Sequence, residues 1–147
     1  MSTTSQDVRI VRLQWGLRIG GAAMILFFVI AAIGVLTNYH AMINENGGLL
    51  GELTAWSDHD GHEYALMIAV IYIVWGAFVW RAARDPLRHR LMVEFTIVGN
   101  FAHLGVMGLM AIFDSTHTAH LLGDVPLGLL LPIILTILWL PVRQLAT

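Results

Sequence analysis

The sequence predicts an all-α protein, a transmembrane four-helix bundle, and three observations carry that reading. Hydrophobic residues make up 57% of the chain and charged residues 12%, about half the charged share of ordinary soluble domains. The 147 residues are one domain's worth, read as a single integral membrane domain over 1–147. Four apolar stretches, at about 19–38, 62–82, 90–114 and 124–142, are long enough to cross a hydrocarbon core that takes about twenty residues. No stretch alternates as a strand would. A net charge of −2 gives no electrostatic case for nucleic acid. The absence of cysteine excludes disulfides, thiolate metal sites and cysteine nucleophiles.

The first span follows a polar opening segment with Arg9, Arg12 and Arg18. Residues 20–37 then run without a charge, and Trp15 and Tyr39 mark interfaces. A cleaved signal peptide has a similar basic start, but this apolar run is long for one and no small-x-small site follows it. It therefore reads as an uncleaved span. Gly16, Gly20 and Ala23 offer a face for close helix packing.

Residues 38–62 form the longest polar connection, in which residues 49–56 suggest a short amphipathic turn at the interface. Ser57 reads as an N-cap with Asp60 in the capping-box position, opening the aromatic-rich second span. Arg81 and Arg84 close that span, where cations suit a helix C-terminus. Asp85-Pro86 then supplies an N-cap and first-turn pair for the third span. The fourth opens near Asp124 and Pro126. Inside it Pro132 removes a backbone hydrogen bond and frees the carbonyl of Gly128, which in a membrane needs another partner.

Four spans put all eight arginines, the only basic residues besides histidine, on one side. The positive-inside rule makes that side, and both termini, cytoplasmic in a cell inner membrane. Seven acids and five histidines fall on the opposite face.

The third span carries the most informative pattern. At the helical period, Thr96, Asn100, His103, Met107, Met110 and Asp114 share an arc about 80° wide. Hydrocarbon tolerates such a stripe poorly, so it is expected to face other helices or water. His103 lies roughly 16 Å below Asp114 at 1.5 Å per residue. It is either a structural pin bonded to Asn100 or the Gly128 carbonyl, or a titrating group or ligand. A haem is a third possibility: a bis-histidine haem would need a second intramembrane histidine, none exists, and only Met67 or Met107 could substitute. On the second span Glu63, Met67, Val70, Val74 and Ala77 form a comparable stripe. Facing the two stripes makes a cavity open to the non-cytoplasmic side, with Asn100, His103, Glu63, Asp114, Met107 and Tyr72 as ligand-binding candidates. Glu94 lies on the opposite face of the third span. It reads as an interfacial salt bridge to Arg88 or Arg90, or as a buried functional carboxylate.

The outer face supplies candidate metal ligands. His59 and His62 stand beside Glu63, while His117, His120 and Asp124 recur at i, i+3 and i+7. Imidazoles with carboxylates suit Cu, Zn or Fe. The bland reading is a solvated polar rim, with Asp60 and Asp124 as caps. Methionines are more often packing than copper ligands.

The stretches EYALMIAVIY, AARDP, NFAHLGVM and HLLGD together resemble the small, uncharacterised four-helix inner-membrane proteins of bacteria. The resemblance covers about residues 60–130 and implies a compact bundle without an activity. Small multidrug-resistance transporters also have four spans, but their hallmark glutamate in span one is absent here. Two functional classes therefore stand. One is a ligand-binding or accessory subunit, alone, as a homo-oligomer or in a larger membrane complex. The other is a membrane-embedded metal-dependent enzyme or redox protein using the outer cluster.

Overall fold

A computed structural model describes residues 3–37 and 62–144. Among them are four α-helices: α1 (Thr3–Leu36), α2 (His62–Ala82), α3 (Arg90–Phe113) and α4 (Asp124–Arg143). A 3₁₀ helix, Ser115–Leu121, joins α3 to α4. All four α-helices are long and apolar enough to cross a membrane, so the all-α transmembrane four-helix bundle is the observed fold.

The helix starts differ from expectation in instructive ways. The polar opening segment belongs to α1, whose 34 residues span about 51 Å at 1.5 Å per residue. That exceeds the hydrocarbon thickness of about 30 Å, so the turns bearing Arg9 and Arg12 extend past the apolar run. Asp85 does not cap α3. Its Oδ1 accepts the Arg88 N–H at 3.1 Å, holding a turn that precedes a helix begun at Arg90. Asp124 is likewise the first helical residue rather than the cap, which is Gly123. Ser57, Asp60 and the stretch 49–56 lie outside the described residues.

The helices form an antiparallel ring in the order α1, α2, α3, α4. Gly21 meets Gly76 and Trp80 of α2, and Gly16 and Gly20 meet Leu138 and Leu131 of α4. Thus α1 uses glycines on two faces, while Ala23 is exposed to the outside. Gly99 of α3 takes the Trp75 ring, and Gly128 of α4 takes Leu104 of α3. Glycines matter here because association in lipid depends on close van der Waals packing.

The buried cluster includes Leu13, Leu17, Val79, Val93, Leu135, Trp139 and Val142, and reaches Met24 and Tyr72 further along the bundle. Large apolar side chains such as Ile71, Val98 and Ile137 are exposed, as expected for surfaces that face hydrocarbon instead of water. Thr136 Oγ donates to the Pro132 carbonyl at 2.6 Å, satisfying a backbone acceptor in the turn after the proline.

Candidate functional site

The polar stripe of α3 divides at His103. Thr96 and Asn100 are buried, His103 and Met107 half-buried, and Met110 and Asp114 exposed. The named contacts between α2 and α3 run from Trp75 with Thr96 and Phe95 up to Tyr72 with His103. The face is therefore covered up to His103 and more open beyond it.

The second-span stripe is a correction. Met67, Val70 and Val74 are exposed by 53%, 52% and 52%, and Glu63 and Ala77 also face outwards. The buried face of α2 is instead Ala69, Tyr72, Gly76 and Val79. Gly76 fixes that rotation: a Cβ there would sit 2.8 Å from the Gly21 carbonyl oxygen, so this edge is pressed against α1. The expected cavity between the two stripes cannot form with α2 so turned.

Around Tyr72 the structure builds an aromatic and polar layer. The Tyr72 ring stacks on Phe28 with centroids 4.3 Å apart. It also lies 5.1 Å from Trp75 and 5.4 Å from the His103 ring, tilted by 51°. Trp75 Nε1 donates to Thr96 Oγ at 3.1 Å, and Thr96 Oγ donates to the Met92 carbonyl at 2.7 Å. Asn100 Nδ2 donates to the Thr96 carbonyl at 2.8 Å. Asn100 is thus bonded along its own helix and not to His103. The Gly128 carbonyl does not pin His103 either, since no side-chain hydrogen bond of His103 is found among the described residues. Its contact is the Tyr72 ring. The Tyr72 hydroxyl is buried and, among the described residues, has no hydrogen-bond partner.

Trp75 and Phe28 escaped the sequence reading. Gly99, one turn from Thr96 and opposite a tryptophan-rich span, was the available signal that a large ring seats there.

At the end of the bundle remote from the arginines, His120 is fully buried and its Nδ1 donates to Asp124 Oδ1 at 3.0 Å. The His117 and His120 rings lie 5.8 Å apart. Among the described residues no three His, Asp or Glu side chains come together as a metal ion requires. His59 and the His62 side chain lie outside them, so two of the five expected ligands have no described position.

The opposite end gathers all eight arginines. Gln14 Nε2 donates to the Arg84 carbonyl at 3.2 Å, and Arg143 Nε lies 3.0 Å from Glu94 Oε1. The ion pair expected of Glu94 is present, but its partner is Arg143 rather than Arg88 or Arg90. The ring topology explains the choice, because α4 ends beside the first turns of α3.

No curated protein and no solved structure matches the chain. The sequence profile of a family of unknown function, DUF6632, matches residues 13–144, from the first core leucine of α1 to the last described residue. The chain belongs to the DUF6632 family, a family of unknown function.

Proposed function

We propose that this protein is a membrane-embedded binding subunit that holds a small lipid-soluble molecule at the Tyr72, Asn100 and His103 layer. The observation that carries this reading is the Tyr72 hydroxyl, buried and without a hydrogen-bond partner among the described residues, beside a half-buried imidazole. A buried unsatisfied polar group costs about 1–3 kcal/mol, and in lipid no water enters cheaply to relieve it. A ligand with a polar head and an apolar body restores the missing bond. The aromatic rings of Phe28, Tyr72 and Trp75 suit a flat head group, which stacks on such rings. The more open α3 face past His103, with Met107 and Met110, gives the approach from the end bearing Asp114 and His120. The positive-inside rule makes that end non-cytoplasmic and the arginine end cytoplasmic, with the bacterial inner membrane as the host.

Solvent extraction of purified protein followed by mass spectrometry tests the reading. A lipid-soluble compound near one equivalent should accompany the wild type and disappear from His103→Ala, which should still insert and melt cooperatively. If His103 is only a pin, that variant melts earlier and its extract is unchanged.

The metal-dependent alternative has the His120–Asp124 pair in its favour, with His117 beside it and His59 and His62 as the additional ligands. Metal analysis of protein purified without chelator or His-tag separates the two readings. Stoichiometric Cu, Zn or Fe that is lost on His117→Ala with His120→Ala favours the metal reading.

A further inference from the structure

The outer surface where α1 and α2 cross carries an apolar groove lined by Ala22, Ile25, Leu26, Val29, Ala77 and Trp80. Its origin is local. Gly21 and Gly76 bring the two backbones into contact, and the small neighbours Ala22 and Ala77 leave a depression beside the crossing. Leu26 and Trp80, both strongly exposed, form its walls.

The groove has polarity along its length. On α1, Arg18, Ala22, Ile25 and Val29 share an arc of about 60° at the helical period, so Arg18 lies one turn below the groove on the same face. On α2, Arg81 follows Ala77 by one turn on the same face, and Arg84 comes in the turn just beyond the helix end at Ala82, where its carbonyl accepts from Gln14 of α1. Arg18 of α1 and Arg81 of α2, with Arg84 in the turn that follows, are therefore gathered at the arginine end of the groove. Arg81 and Arg84 are exposed and Arg18 is half-buried. Arg18 lies over the Trp15 ring at 5.3 Å. Among the described residues no carboxylate pairs with any of the three, whereas Arg143 is taken by Glu94.

We propose that this groove is a binding site for an anionic phospholipid, separate from the Tyr72 layer. One acyl chain lies along Ala22, Ile25 and Val29, and the head-group phosphate sits among Arg18, Arg81 and Arg84. Charge complementarity selects this occupant. A second copy of the chain would place its own arginines against these three, at like-charge cost. A zwitterionic lipid gains the same apolar contact but less from the arginines, each worth about fivefold in affinity for an anionic surface. Arginine also offers a planar fork that fits phosphate oxygens in pairs.

Native mass spectrometry of the full chain in detergent, titrated with phosphatidylglycerol or phosphatidylcholine of matched acyl chains, tests the site. Wild type should retain phosphatidylglycerol preferentially. Arg81→Gln with Arg84→Gln should weaken that lipid about 25-fold, at fivefold per arginine, and leave phosphatidylcholine nearly unchanged. Ala77→Phe should weaken both lipids, because the ring fills the groove from an exposed position without entering the core. Arg88→Gln, in the turn that leads into α3 and outside the groove's lining, should change retention by less than about twofold. The proposal is overturned if wild type shows no preference, if Ala77→Phe binds phosphatidylglycerol as wild type does, or if Arg88→Gln costs as much as Arg81→Gln. The two glutamine changes lie at exposed positions in the last turn of α2 and just beyond it, and circular dichroism verifies that each variant remains helical.

Discussion

Gly21 and Gly76 face each other so closely that neither position has room for a methyl group. A Cβ on Gly21 would stand 2.7 Å from the Gly76 carbonyl oxygen, and one on Gly76 would stand 2.8 Å from that of Gly21. The obstruction is backbone in both directions, so no side-chain rotation relieves it. Gly105, by contrast, has nothing within 4 Å of its Cβ position. Gly21→Ala or Gly76→Ala should destabilise the bundle by about 1–3 kcal/mol, the usual cost of overpacking. Gly105→Ala should be neutral or stabilise by up to about 1 kcal/mol through helix propensity. Denaturant titration in micelles, followed by circular dichroism, separates the two classes.

A second expectation concerns the join between α2 and α3, where the Trp75 indole donates to Thr96 Oγ. Thr96→Val keeps the shape but removes the acceptor, leaving the N–H of the half-buried Trp75 without it. The expected loss is about 1 kcal/mol, within the range measured for such bonds in membranes. Thr96→Ser keeps the hydroxyl and should lose less. Equal losses for the two variants would assign the effect to packing alone. Trp75 emission should shift with Thr96→Val.

Membrane orientation gives a third expectation. With the eight arginines at one end, a periplasmic-active reporter fused after residue 50 should be active and one fused after residue 147 inactive. The opposite pattern would invert the bundle and put the open end of the α3 stripe in the cytoplasm.

Much of the fold was legible because span length and charge sidedness are strong signals in a chain that must satisfy its backbone in lipid. The rotation of each helix was not. On α3 the polar residues Thr96, Asn100 and His103 mark the inward face, and the structure buries the first two. On α2 every face is apolar, so the period of Met67, Val70 and Val74 fits inside and outside equally. What decides is Gly76, and its meaning depends on Gly21 more than fifty residues away. The same limit applied at the helix starts, since Asp85 and Asp124 are good caps in isolation but are drawn to the Arg88 amide and the His120 ring. The partner of Glu94 also depended on tertiary order, because the end of α4 returns to the start of α3. The Tyr72 layer was half visible: Tyr72, Asn100 and His103 were candidates, while Phe28 and Trp75 are joined to them only across helices.

The central claim is that the Tyr72 hydroxyl is unsatisfied in the protein alone and satisfied by a bound molecule. The most direct measurement is the thermal midpoint of wild type and Tyr72→Phe, each as purified and after exhaustive solvent-compatible delipidation in detergent. A ligand that binds only the folded state raises the midpoint through mass action, and an orphan hydroxyl adds nothing to the empty protein. Delipidation should therefore lower the wild-type midpoint by several degrees more than that of Tyr72→Phe, which loses only lipid held elsewhere on the bundle. The two empty proteins should melt together, or the phenylalanine variant slightly higher. An equal response to delipidation in both proteins, or a Tyr72→Phe variant markedly less stable when empty, would contradict the claim.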